Sequence, residues 1–291
     1  MKEFKDKVAV ITGAANGIGY SLAKKAISEG MKIVISDIEK AALTQAEAEL
    51  KANGGEVLAV VTDVTKIDEM HSLAQKTIDE YGAVHLLCNN AGVGFYMKST
   101  TYAWESPLED WKWILDVNLM GVLHGIQVFV PIMLKQDFES HVLNTASMAG
   151  LVPPIFGSGI YSVSKHALIA LSESLKNDLI RIGANVKVSV LCPTFVNTKL
   201  GMSDRNRPKE LTIEYEPNPD FDTTVKGAQG ALEKGMSPDK VSDFTFQALK
   251  KEFFYILSDT GLSWKKMVSN RMDGILEAFK ENKDLKKLEA S

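Results

Sequence analysis

The sequence predicts an α/β fold: a doubly wound parallel sheet of about seven strands with helices on both faces. Short apolar runs alternate with segments of helical period from the first residues onward. The runs are continuously apolar, which suits strands covered on both faces rather than strands with one wet side. A glycine-rich turn, "TGAANGIG", joins the first run to the first helical segment. The crossovers are expected to be right-handed.

Each element follows from local pattern. "KVAVI" (7–11) reads as a buried strand, followed by a helix from Gly17 with Ile18, Leu22 and Ala26 on one face and Gly30 as its stop. "KIVIS" is the second strand and 39–53 the second helix, ended by "NGG". "EVLAVV", a helix over 67–81 and "HLLC" come next. Ser106-Pro107-Leu108-Glu109 has the form of a capping box with proline at the first helical position, launching a helix to about Lys135. "HVLNT" is a fifth strand, 161–182 a helix stopped by Gly183, "KVSVL" a sixth strand and "FFYIL" a seventh.

No linker interrupts this alternation before about Thr194, so residues 1–291 read as a single domain. Residues 195–240 break the pattern and read as a substrate loop or lid over the sheet's edge, and 262–291 as a C-terminal helical extension.

The 291 residues carry 33 Lys and Arg against 37 Asp and Glu, a net charge of −4 without a block of like charges, which argues against nucleic acid or an anionic membrane as partner. The N-terminus "MKEFKDKVAVITG" lacks a signal-peptide core, and no run of 18 or more apolar residues occurs, so a cytoplasmic location is expected. The two cysteines, Cys88 and Cys192, end apolar runs and read as buried thiols. The five histidines show no metal-ligand spacing.

The glycines of 12–19 allow a sharp turn and close approach of a ligand to the backbone, and the helix behind them offers free N–H groups to a pyrophosphate. Their spacing is Gly-x-x-x-Gly-x-Gly rather than Gly-x-Gly-x-x-Gly. Asp37 ends the second strand, where a carboxylate accepts hydrogen bonds from a ribose diol and repels a 2′-phosphate. Neither Asn16 nor Ile38 supplies positive charge for such a phosphate. The reading is therefore NAD over NADP.

Tyr161 and Lys165 stand one helical turn apart, so a phenol and an ammonium project side by side. A cation there favours the phenolate of a tyrosine whose free pKa is about 10. With "TGAANGIG", "DV" (63–64), "NNAG" (89–92), "VN" (117–118), Ser147, "YSVSK" (161–165) and "PTFVNT" (193–198) in register, the chain resembles the single-domain short-chain dehydrogenase/reductase family over roughly residues 5–200.

The resemblance implies a Rossmann-type fold and a catalytic tetrad of Asn118, Ser147, Tyr161 and Lys165. It gives Tyr161 the role of general acid or base and Lys165 a contact to the nicotinamide ribose. Ser147 would donate to the substrate oxygen, and Asn118 would anchor a water that links the lysine to solvent. It places Gly13, Asn16, Gly17, Ile18 and Gly19 at the phosphates and Asp37 at the ribose. Asp63 and Val64 fall at the adenine, Asn90, Ala91 and Gly92 beneath the adenine ribose, and Pro193, Val196 and Thr198 near the carboxamide and phosphates. Two departures stand out: Pro193-Thr194 replaces the family's Pro-Gly, and the C-terminus runs through "FFYILSD" into a charged helix instead of a glycine-rich ending.

Phe95, Tyr96, Met97, Pro153, Pro154, Phe156 and Phe195 are candidates for an apolar substrate wall. The expected activity is hydride transfer between NAD and a small hydrophobic secondary alcohol or its ketone: a hydroxysteroid, an aryl carbinol or an aliphatic alcohol. Alternatives are an epimerase or dehydratase of the same family with tightly bound NAD, and a non-catalytic NAD-binding regulator. The family implies a homodimer or homotetramer, assembled through the Asn118 and Tyr161 helices.

Overall fold

A computed structural model of the chain describes residues 1–94, 102–154, 158–214, 227 and 230–288. The strands are β1 (Val8–Thr12), β2 (Lys32–Asp37), β3 (Val57–Val61), β4 (Leu86–Asn89), β5 (Ser140–Thr145), β6 (Val186–Cys192) and β7 (Tyr255–Leu257). All pair in parallel in one sheet of order β3-β2-β1-β4-β5-β6-β7. The helices are α1 (Gly17–Ser28), α2 (Lys40–Ala52), α3 (Ile67–Tyr81), α4 (Leu108–Leu115), α5 (Gly121–Lys135), α6 (Gly159–Arg181), α7 (Pro238–Lys250) and α8 (Leu262–Leu288).

Side-chain alternation along the strands divides the core in two. Ala9, Ile11, Ile33, Ile35, Leu86, Cys88, Leu143 and Leu191 point to one face, where Leu22 and Ala26 of α1, Leu43 and Leu50 of α2, and Phe246 and Leu249 of α7 cover them. Val10, Val34, Leu87, Val142 and Val190 point to the other, beneath Leu73 of α3, Phe129 of α5 and Leu168 of α6. The apolar runs are uninterrupted because neither face meets water. Leu171, Leu175 and Leu179 extend the packing face of α6.

The chain departs from expectation in three places. Ser106 does not cap α4: its hydroxyl donates to the Tyr102 carbonyl at 3.1 Å, and Pro107 itself occupies the N-cap position. The helix expected to run unbroken to Lys135 is divided by a π-turn, Asp116–Met120, between α4 and α5. Residues 108–135 are long and apolar enough to cross a membrane by length and composition alone, but here α5 packs on α3 and β4.

The third departure is α7, which begins inside the stretch read as a loop. Ser237 caps it by accepting the Lys240 N–H at 3.4 Å, and Pro238 sits in its first turn. Val241, Thr245, Phe246 and Leu249 bury its inner face against α1. Between β6 and α7, residues Lys199–Asn206 and Lys209–Leu211 form 3₁₀ turns.

The order of strands reverses between β1 and β4. Helices leave opposite faces there, and the carboxyl ends of the strands part into a crevice.

Candidate active site

An open cleft of about 1240 Å³, its mouth included, lies at this crevice. Every residue predicted for catalysis or for the cofactor lines it except Gly19 and Asn118, which stand directly behind it. Gly13 adopts φ +63°, and a Cβ on it would sit 2.7 Å from the Ala91 Cα; a Cβ on Gly19 would sit 2.2 Å from the Gly13 carbonyl oxygen. The turn can therefore close only on glycine.

The N-terminus of α1 is left open. Asn16 makes no side-chain cap bond and the first turn holds no acidic residue, so the free N–H groups and positive dipole end face the cleft. At the far lip, Asp37 accepts the N–H groups of Ala15 (3.1 Å) and Glu39 (3.0 Å). Burial pushes its carboxyl above the ordinary range, against these two bonds, which favour the charged form. An open helix end and a carboxylate 18 residues beyond Gly19 (37 − 19) fit a pyrophosphate-bearing dinucleotide with an unphosphorylated adenine ribose.

Asn90 fastens the strand ends together. Its amide donates to the carbonyls of Thr12 (3.0 Å) and Gly13 (3.2 Å) and accepts from the Thr145 hydroxyl (3.2 Å). Thr12, which sequence reasoning passed over, accepts the N–H groups of Asn90 and Ala91, each at 3.0 Å. Asp63 lines the cleft, but its carboxylate is engaged by the N–H (2.9 Å) and hydroxyl (2.8 Å) of Thr65.

The tetrad residues converge from three elements. Lys165, buried on α6, places Nζ 5.6 Å from the centre of the Tyr161 ring and donates to the Thr145 carbonyl at 3.0 Å. Burial pulls its ammonium down to about 8. Ser147 follows β5 and caps a 3₁₀ turn by accepting the Ala149 N–H at 3.1 Å; its own proton goes to the Pro193 carbonyl at 3.4 Å.

Asn118 lies in the π-turn, fully buried. Its Oδ1 accepts the Val93 N–H at 2.8 Å, and its Nδ2 donates to the Val93 carbonyl (3.0 Å) and to Ser164 Oγ (3.2 Å). Both N–H bonds are thus spent, leaving one lone pair on Oδ1. The face of Gly92 that lacks a side chain opens between this oxygen and the lysine: a Cβ there would lie 3.3 Å from Asn118 Oδ1 and 3.7 Å from Lys165 Nζ.

Thr194, standing where the family has glycine, is not among the residues of positive φ. Its N–H donates to Ser258 Oγ at 3.1 Å, so the C-terminal "FFYILSD" supplies the bond that holds the altered turn. Burial pushes the neighbouring Cys192 thiol up to about 12, and Cys88 is likewise buried.

The apolar wall is not the one expected. Phe95, Tyr96, Met97 and Phe156 lie outside the described residues. Pro153 and Pro154 are exposed, and Phe195 turns 43% of its surface to solvent; none of the three lines the cleft. Val93, Trp113, Val117, Leu200 and Leu232 line it instead. Trp113 and Val117 escaped notice because they read as the core face of an amphipathic helix. Leu200 and Leu232 lie in a stretch without periodicity.

Comparison with known proteins agrees with this geometry. Residues 7–209 match the family model described as short chain dehydrogenase. The chain is 36% identical over 261 residues to a CLA biosynthesis dehydrogenase/reductase of Lactiplantibacillus plantarum, covering 89% of this chain and 90% of that protein. It is 34% identical to a 1-deoxy-11-beta-hydroxypentalenate dehydrogenase of Streptomyces exfoliatus, covering 87% and 83%. Among solved structures, a short-chain dehydrogenase/reductase from Burkholderia phymatum in complex with NAD superposes with a TM-score of 0.89 at 41% identity, covering 96% of this chain and 97% of that one. With the family model matched over most of its length, this chain belongs to the short-chain dehydrogenase/reductase family.

Proposed function

We propose that the chain is an NAD-dependent oxidoreductase acting on a hydrophobic secondary alcohol or its ketone, with Tyr161 exchanging the proton of the substrate oxygen. The observation that carries this reading is the buried Lys165 ammonium 5.6 Å from the Tyr161 ring, in the same cleft as Ser147. The positive charge favours ionisation of the phenol, which then takes the alcohol proton. Ser147 exchanges its long bond to the Pro193 carbonyl for one to the substrate oxygen, while Ala149 N–H keeps the hydroxyl oriented. When bound, the nicotinamide is the acceptor or donor of the hydride.

Asn118 acts chiefly by fixing Val93, and so the wall beside the reacting carbon. Its remaining lone pair and Lys165 Nζ flank the space above Gly92, a place for a water that passes the proton towards solvent. Asp37 sets the preference for NAD over NADP. The Burkholderia relative, solved with NAD, supports that choice.

The wall of Val93, Trp113, Val117, Leu200 and Leu232 supports an apolar carbon frame: a hydroxysteroid, an aryl carbinol or an aliphatic alcohol. The name of the Streptomyces relative, a dehydrogenase of a hydroxylated pentalenate, agrees with an alcohol substrate. Self-association through α5 and α6 is supported by the exposed Leu134 and Val163 on these helices. The test is an NAD-linked screen across the three alcohol classes with Tyr161→Phe as control. NADH should form with the native chain alone, although both bind NAD. Turnover that survives in Tyr161→Phe would remove the proton-transfer role.

A further inference from the structure

Residues 199–211 cross the cleft as a strap held at several points. Its Ser203 hydroxyl accepts the Gly94 N–H at 3.0 Å, which ties it to the loop after β4. Three consecutive side chains then reach in opposite directions. Arg207 goes to the substrate side, where it pairs with Asp110 of α4 at 2.5 Å, donates to the Leu211 carbonyl at 3.0 Å and lies 4.5 Å over the Trp113 ring. Arg205 and Asn206 go to the adenosine side, beyond Asp37. There Glu39 Oε1 accepts from Arg205 Nε (3.1 Å), Arg205 Nη2 (2.6 Å) and Asn206 Nδ2 (3.0 Å).

The two ends differ in burial. Arg207 and Asp110 are 8% and 0% exposed, whereas Arg205 and Glu39 are 32% and 26% exposed. Breaking a buried pair strands uncompensated charges, while a partly exposed pair opens with water taking over its bonds. Asp37, Ile38, Glu39, Arg205 and Asn206 line one cavity together, so the exposed pair stands at the lip of the cleft beside the expected adenine ribose. Nothing in the motifs of the sequence points to it, since Glu39 and Arg205 are 166 positions apart.

We propose that the Glu39–Arg205 pair is a latch over the adenosine end of the cleft that sets how fast the dinucleotide leaves, with Arg207–Asp110 as the fixed end of the strap. This rests on the cofactor reading above. The Arg205 guanidinium also holds the Glu39 carboxyl below its usual range, so the latch is ionised throughout neutral pH. Glu39 and Arg205 are positioning residues here, since neither is required to touch the reacting atoms.

The test is stopped-flow release of NADH, followed by its fluorescence, from the native chain, Glu39→Gln, Arg205→Gln and the double variant. Each single change should speed release about fivefold. The double variant should be little faster than either single one, because each alone already breaks the Glu39–Arg205 ion pair. Added salt should speed release from the native chain and leave the variants nearly unchanged. A single variant releasing at the native rate, or single effects that multiply in the double variant, would overturn the latch alone. Failure of NADH to bind the native chain would overturn the cofactor reading and the latch with it.

Discussion

The hydroxyl of Ser258, just past the last strand, holds the backbone N–H of Thr194, just past β6, at 3.1 Å. The two residues sit at the two places where the chain departs from its family's pattern, and one compensates the other. Ser258→Ala should cost about 1 kcal/mol through the lost bond, read as a fall of a few degrees in melting temperature. Restoring the family residue should not help. Thr194 has ordinary φ, so Thr194→Gly should destabilise by about 0.5–1 kcal/mol through added freedom of the unfolded chain, without tightening NAD binding.

Gly92 leaves open the space between Asn118 Oδ1 and Lys165 Nζ. Gly92→Ala should fill it and lower kcat about tenfold or more while NADH affinity stays within a factor of two or three, a split visible in steady-state rates set beside a fluorescence titration. An unchanged kcat would show that no water is needed there.

Lys165 is charged at a cost. Its folded pKa is lowered to about 8, from 10.5 in the open chain, so the folded state binds fewer protons than the unfolded state between those values. Below about 8 the full penalty is present; it fades as pH rises towards 10.5. The penalty is on the order of 3 kcal/mol, from about 1.4 kcal/mol per pKa unit. Urea midpoints of the ligand-free chain and of Lys165→Met, taken at pH 8 and pH 10, should show the advantage of the methionine variant shrinking as pH rises.

His141 works at the acid end. Ser189 gives its proton to the Phe253 carbonyl at 2.6 Å, so His141 Nε2 must be the donor in its 2.8 Å contact with that serine, and the buried Nδ1 carries a lone pair. Burial holds this ring at about 3, against an ordinary 6.5. The unfolded chain therefore takes up a proton that the folded one refuses, and stability should fall as pH drops from 6.5 towards 3. His141→Asn keeps a donor for Ser189 without a titrating ring, and its stability should fall less steeply over that range in denaturation titrations.

Asp37 should decide the cofactor. Asp37→Ala is expected to weaken NAD about tenfold and to narrow the gap to NADP, because a hydrogen-bonding and repelling carboxylate is lost at once. Retained NAD affinity would mean that the ribose is held elsewhere.

Much of this was legible in the sequence because it depends on local pattern. Apolar runs such as "KVAVI" and "KIVIS" marked strands buried on both sides, and the one-turn spacing of Tyr161 and Lys165 put them side by side. What stayed hidden depends on long-range choice or on competition between neighbouring residues. The apolar pattern from Leu108 to Lys135 runs straight through the π-turn, so nothing in it marks the extra residue. Ser106 and Pro107 satisfied a capping pattern, yet the hydroxyl found the Tyr102 carbonyl instead. Helix α7 carried its own start signal in Ser237-Pro238, overlooked amid a polar stretch. The pairs Glu39–Arg205 and Asp110–Arg207 join residues 166 and 97 positions apart, and exposed charges of either sign abound as possible partners.

The π-turn at Asp116–Met120 has a cost that only a deletion would expose. Removing one residue there, Val117 for instance, would let α4 and α5 merge into a regular helix with better backbone geometry. The same repair would swing the asparagine side chain by about 100°, away from the peptide it holds. Local regularity and the shape of the cleft pull against each other at this spot, and the chain has kept the irregular form.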